Sequence, residues 1–276
     1  MQINKTYITL IACALINTNA QDKTDAIKHD NRSSTKIIQT YRFDELLDDG
    51  SYTIKIENLS SNINILGHEG SGAKVVIRNI AQVITEQEAQ EAYEHSKTIV
   101  KNFKDEEVVH ITGSNDKMQG LKMENFIDLN LPKNINLEIN LLGGDISLDN
   151  IHGESILETL GGNISIDNHE GRADTKTNGG DIKINKVNGV FKGHSFGGNI
   201  YITDSNGDLA SSTVGGNIFM EKLYGIIGSQ TSGGSISLLD VHATEINCKS
   251  IGGAIKCNNI SGRIKIQNSG KGINIE

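Results

Sequence analysis

Carboxylate, imidazole and thiol side chains recur at set intervals along the second half of this 276-residue chain. Asp149 and Asp167 lie eighteen residues apart. If the chain repeats with that period, their carboxylates stand about 5 Å from each other on neighbouring strands. Such a pair can hold a cation, or divide acid and nucleophile roles in glycoside hydrolysis. Two solvated acids also serve simply to keep a strand edge soluble. Asp149 and Asp167 are therefore the weak metal candidates, and no catalytic or cofactor-binding residue is assigned. His152 and His242 share one phase of the repeat but stand five coils, about 24 Å, apart, too far for one metal. His169 is nearer His152, yet with no further ligand at suitable spacing it reads as a turn residue. No HExxH, GxSxG or phosphate-loop motif occurs.

The elements that would position these groups follow from glycine. Gly-Gly pairs begin at Gly143, Gly161, Gly179, Gly197, Gly215, Gly233 and Gly252, with spacings of 18, 18, 18, 18, 18 and 19. With the first Gly of each pair as position one, position four is Ile146, Ile164, Ile182, Ile200, Ile218, Ile236 and Ile255. Position six is Leu148, Ile166, Ile184, Ile202, Met220, Leu238 and Cys257, between mostly polar neighbours. This period of two predicts a strand with one buried face. Position eleven returns to glycine in all but the repeat that carries Ala243, so each unit has two corners. A second strand brings Ala173, Phe191, Leu209, Ile227 and Ile264 to position thirteen. It brings Thr159, Thr177, Ser195, Thr213 and Thr231 to position seventeen.

So short a unit cannot bury its own apolar side and must stack on copies of itself. The expected fold is all-β: a single-stranded β-helix or β-solenoid with about eighteen residues per coil, right-handed by the general preference of parallel connections. The calcium-binding β-roll also has eighteen-residue coils but requires GGxGxDxUx; here isoleucine and a second apolar residue take the positions of its glycine and aspartate. Cys257 takes an inward position, whereas Cys248, near position sixteen, falls on the outward phase. A disulfide between them is disfavoured even in an exported chain.

The N-terminal half is less regular. Residues 1–20 carry Lys5, an apolar stretch from Tyr7 to Ile16 and a polar end at Ala20, the layout of a signal peptide. Leu10-Ile11-Ala12-Cys13 offers the alternative of lipid attachment at Cys13. Residues 21–40 read as a flexible polar leader. Residues 41–142 read as irregular β coils and 143–276 as the regular repeats, with 41–276 one continuous domain. Ser60–Ile65 aligns with the GGxIxI block and Gly70 falls at position eleven, so 52–80 reads as opening coils. Thr85 and Glu88 form a capping box before apolar residues at helical spacing, which predicts an inserted helix over 85–103.

LPKNINLEINLLGGDISLDNIHG, followed by GGNISI and GGDIKI blocks, resembles the putative-adhesin β-helix family of exported bacterial proteins, relatives of the GIN head-domain proteins. The tripeptide itself occurs as Gly272-Ile273-Asn274. The resemblance implies a binding role at the surface or in the periplasm, and it brings no catalytic residues.

A formal charge of −8 argues against nucleic acid as a partner, because phosphate neutralisation needs clustered Lys and Arg. No apolar stretch reaches the roughly twenty residues of a membrane-spanning helix. The sequence therefore points to an exported, non-enzymatic, adhesin-like β-helix without cofactors. It would be periplasmic, secreted or at the cell surface, and would present a polar face to a surface protein or glycan. Alternatives are a polysaccharide-active enzyme and a structural or envelope-sensing module, and the terminal coil leaves room for an end-to-end homodimer.

Overall fold

The structure is a computed structural model and describes residues 7–8, 22–30, 34–44, 46, 49–82, 87–88, 91, 97–113 and 123–276. All its strands join one continuous sheet. β1 (Tyr7–Ile8), β2 (Asp22–Asp30) and β3 (Ser34–Phe43) pair antiparallel in sequence order. β4 (Thr53–Ser60) and β5 (Asn62–His68) supply two sides of an early coil. β6 (Ala73–Ala81) lies antiparallel between β3 and β9 (Met123–Pro132). β7 (Thr98–Phe103) is antiparallel to β8 (Val108–Gly113). β8 and β9 run parallel to β4 and β5, which in turn run parallel to β10 (Asn136–Gly143) and β11 (Ile146–Thr159). The chain thus goes below its first coil before climbing past it, and the antiparallel strands cover that end of the stack, as a capping element must.

Three expectations change here. β2 and β3 occupy most of the stretch read as a leader over 21–40. In β3 the alternation of Ile37, Gln39, Tyr41 and Phe43 puts all four into the interior, an outcome hidden by the polar residues between them. β6 is not a coil strand, because it runs against β9 rather than with it. The helical insertion expected over 85–103 is not seen along its length: its last third is β7, where Thr98, Val100 and Asn102 alternate inward, and of the earlier part only Gln87, Glu88 and Glu91 are described as helical. Thr85 and most of the remainder lie outside the described residues.

Beyond β11 the chain repeats as β12 (Ile164–Thr177), β13 (Ile182–Ser195), β14 (Ile200–Thr203) with β15 (Asn206–Thr213), β16 (Ile218–Thr231), β17 (Ile236–Ser250), β18 (Ile255–Asn268) and β19 (Ile273–Ile275). Each pairs parallel and in register with the next, Ile146 to Ile164 to Ile182 to Ile200 and onward to Ile273. The early coil joins the same column through Ile63 and Ile65, as the alignment of Ser60–Ile65 predicts. From Ile146 to Ile255 the position-four isoleucines are at most 1% exposed, and each buried side chain contributes about 1.5–3 kcal/mol by leaving water.

The two glycine corners work differently. At the second Gly of each pair a Cβ would meet the main chain of the coil before: 2.0 Å from the Gly180 carbonyl oxygen if placed on Gly198. That corner needs glycine for close approach between coils. At position eleven the backbone also has positive φ, from 110° at Gly225 to 152° at Gly153. Three residues earlier every coil bends through a left-handed residue, among them Asn150, Asn168, Lys186 and Lys222. The composition of that position, with its two lysines, hides this bend from sequence reading.

A hydroxyl ladder fastens the Gly-Gly corners. Thr177 Oγ1 donates to the Gly162 carbonyl at 2.7 Å and accepts from the Gly180 amide at 3.2 Å. Thr159, Ser195, Thr213, Thr231 and Ser250 make the same two bonds in their own coils. The hydroxylic position seventeen is therefore an internal strut.

Candidate functional site

Asp149 and Asp167 are direct neighbours across β11 and β12. Each carboxylate has its own amide donor: Asn168 donates to Asp149 Oδ1 at 2.9 Å, and Asn185 donates to Asp167 Oδ1 at 2.8 Å. The column continues with Thr203 donating to Asn185 Oδ1 at 3.0 Å. The two acids thus begin a side-chain ladder that holds successive coils in register. Among the described residues no group of three or more His, Cys, Asp or Glu is arranged to hold a metal ion.

His169 is not a turn residue. It occupies position nine, which is Ile151 and Val187 in the coils on either side, and it is fully buried. Its Nε2 is 3.0 Å from Ser155 Oγ, while Nδ1 has no hydrogen-bond partner. Burial, helped by the nearby His152, lowers its pKa to about 4. The ring is therefore neutral at pH 7. His152 lies 3.8 Å from Glu170 on its other side, and His242 meets Ser261 Oγ at 2.9 Å in a distant coil.

Cys248 and Cys257 are free and buried, so Cys248 does not point outward. The nineteen-residue spacing places an extra residue in β17, and the register shift after Ala243 pairs Cys248 with the inward Ser229. Ser229 Oγ donates to Cys248 Sγ at 3.0 Å, and burial raises the thiol pKa to about 11. Neither the histidines nor the thiols form an open reactive centre.

An open groove lies elsewhere, along the second strand of the coils. Positions fourteen and sixteen point outward there, on either side of the inward position fifteen. Position fourteen runs Ile156, Asp174, Lys192, Ala210, Gly228, Asn247, Lys265, each paired with the next. Position sixteen runs Glu158, Lys176, His194, Ser212, Gln230, Lys249, Gln267 in the same ladder. Together they line an open groove of about 680 Å³ that follows the solenoid axis. Its middle is low because Ala210 and Gly228 project little, and Ser211 and Ser229 lie beneath them. Exposed Leu160, Phe196, Val214 and Ile251, each just before a Gly-Gly pair, lie two residues beyond position sixteen, in a column that also holds Asn178 and Ser232.

Sequence reading missed this groove because its residues look like ordinary outward polar positions. The signal that could have found it is a row of small residues between lysines of equal phase. The extra residue in β17 moves Lys249 out of that phase when positions are counted from the glycines.

No family model and no curated protein matches the chain. Solved structures of similar architecture do. A putative adhesin from Parabacteroides distasonis is 13% identical, with a TM-score of 0.49 over 87% of this chain and 97% of that one. A putative adhesin from Bacteroides fragilis is 17% identical, with a TM-score of 0.45 over 86% and 96%. A putative cell adhesion protein from Clostridium sporogenes is 12% identical, with a TM-score of 0.25 over 86% and 98%. Each likeness extends over most of both chains, and none carries a function across at such identities.

Proposed function

We propose that this protein is an exported, adhesin-like binding scaffold that engages a surface partner or glycan along its solenoid face and does no chemistry on it. The observation that carries this reading is the groove: a seven-coil strip of in-register polar and small side chains, fixed at about 4.8 Å per coil. A rigid periodic surface suits recognition of an extended, repeating ligand, because every coil presents its side chains in the same orientation.

Export rests on the layout of residues 1–20; among the described residues no helix is long and apolar enough to cross a membrane. The mature N-terminus is expected at Gln21, and mass spectrometry finding an acylated Cys13 instead would make the protein a lipoprotein. A glycan array followed by a turnover assay on every glycan retained tests the binding role. Retention without cleavage is the expected result. Cleavage of a retained polysaccharide would replace the scaffold reading with that of a polysaccharide-active enzyme.

A further inference from the structure

The groove has a charge pattern opposite to that of the protein. Lys176 and Lys192 stand on adjacent coils, one at position sixteen and the next at position fourteen. Lys249 and Lys265 repeat the same diagonal on two later coils. The registers place the second pair four coils after the first, about 19 Å along the axis. All four side chains are exposed, and none is in an ion pair among the described residues. Of the two acids in the groove, Asp174 is engaged by Arg172, 2.6 Å away, which leaves Glu158 at one end. A chain of net charge −8 thus concentrates unpaired cations along one strip.

Between the lysine pairs the floor is held low by a glycine that the fold does not require. A Cβ on Gly228 would meet nothing within 4 Å, and its φ is not in the left-handed region. Glycine inside a strand costs about 0.5–1 kcal/mol relative to a residue with a side chain. Gly193, by contrast, is explained by packing, since a Cβ there would come within 2.6 Å of the Phe191 ring. What Gly228 supplies is open space above the strand.

Resting on the binding role argued above, we propose that this groove holds an anionic polysaccharide laid along the solenoid axis, its carboxylate or sulfate groups meeting the two lysine pairs. The low floor over Ala210 and Gly228 admits the sugar rings between them. Ser212 and Gln230 face that stretch as hydrogen-bonding groups for hydroxyls. An extended peptide fits less well, because peptides that bind sheets gain their affinity by pairing with a free strand edge. Every groove strand from β12 to β17 is already paired on both sides.

Calorimetric titration of the purified protein with an oligogalacturonate long enough to span four coils tests the assignment. Dextran sulfate, a neutral cello-oligosaccharide of equal length and polyglutamate serve as the other ligands. Binding of oligogalacturonate or dextran sulfate is expected, weakened about tenfold by Lys176→Gln with Lys192→Gln, and by a similar factor by Lys249→Gln with Lys265→Gln. The choice between the two polymers identifies carboxylate or sulfate as the anion. Gly228→Val should abolish binding with no fall in melting temperature, since its side chain enters open groove. The exposed lysine substitutions keep the test valid if that variant misfolds.

Equal binding of the neutral chain, or anion binding unchanged in both lysine double variants, overturns the proposal. So does polyglutamate bound as tightly as the sugars and lost in the same variants, which would make this a protein-binding face. An array glycan retained by wild type and by all these variants would leave the scaffold role standing and remove only the groove assignment. Failure of wild type to retain any array glycan, together with no binding of the anionic polymers, would overturn both.

Discussion

At the scale of single residues, near-identical side chains do different work according to where the coil places them. Gly198 and Gly161 both belong to Gly-Gly pairs, yet a Cβ on Gly198 would lie 2.0 Å from a carbonyl oxygen while one on Gly161 would meet nothing within 4 Å. Gly198→Ala should therefore destabilise the protein by more than about 2 kcal/mol, and Gly161→Ala by no more than about 0.5 kcal/mol, as read from denaturant melts. His169 makes a second prediction at this scale. Its folded-state pKa of about 4 lies below the unfolded value near 6.5, because burial disfavours the charged ring. Between those values the unfolded chain binds the proton and the folded one does not, so stability falls as pH drops from about 6.5 to about 4. Below that window the contribution is fully lost, roughly 3 kcal/mol in all. Ser155→Ala with His169→Val gives each position the residue found one coil later, Ala173 and Val187 respectively. The double variant should lose that part of the acid sensitivity. An unchanged slope of stability against pH would show that His169 does not titrate in this way. The imidazole was visible in the sequence, but its burial was not: position nine is not marked by the alternation of the first strand, since the left-handed residue before it resets the phase.

At the scale of the element, the strands and corners of the repeat were legible because one period governs both glycine and isoleucine. The columns through Ile146 to Ile255 and Leu148 to Cys257 form as that period requires. Legibility failed where one short segment admits two patterns. Ile99, Val100 and Phe103 fit a helical period, but Thr98, Val100 and Asn102 also alternate as a strand, and pairing with β8 decides the matter. Cys248 shows the same limit, since one inserted residue inverts every inside-outside assignment that follows it until the register recovers. The hydroxyl strut gives a prediction for the corner as an element. Thr177→Val keeps the shape of the side chain but leaves the Gly162 carbonyl and the Gly180 amide without their buried partner. A loss of about 1–3 kcal/mol is expected in a thermal or denaturant melt. The outward Lys176→Gln, one residue earlier on the same strand, should change stability by less than about 0.5 kcal/mol. Equal effects at the two positions would remove the strut from the account.

At the scale of the molecule, the architecture places a strip of lysines and small residues on one face of a stack closed at its N-terminal end by antiparallel strands. The sequence contained each of these residues, but not their meeting. Lys176 and Lys249 belong together only once the coils are stacked and the extra residue of β17 is accommodated. The groove and its four-coil lysine spacing depend on the coils forming one continuous in-register stack. Spin labels at Glu158→Cys and Gln267→Cys, in a Cys13→Ser background with the other thiols buried, test it directly by dipolar spectroscopy. Both labels occupy position sixteen and point the same way, six coils apart. Six coils of such a stack give a single narrow distance distribution centred at about 29 Å. A broad distribution, or a mean displaced by a coil or more, would contradict it.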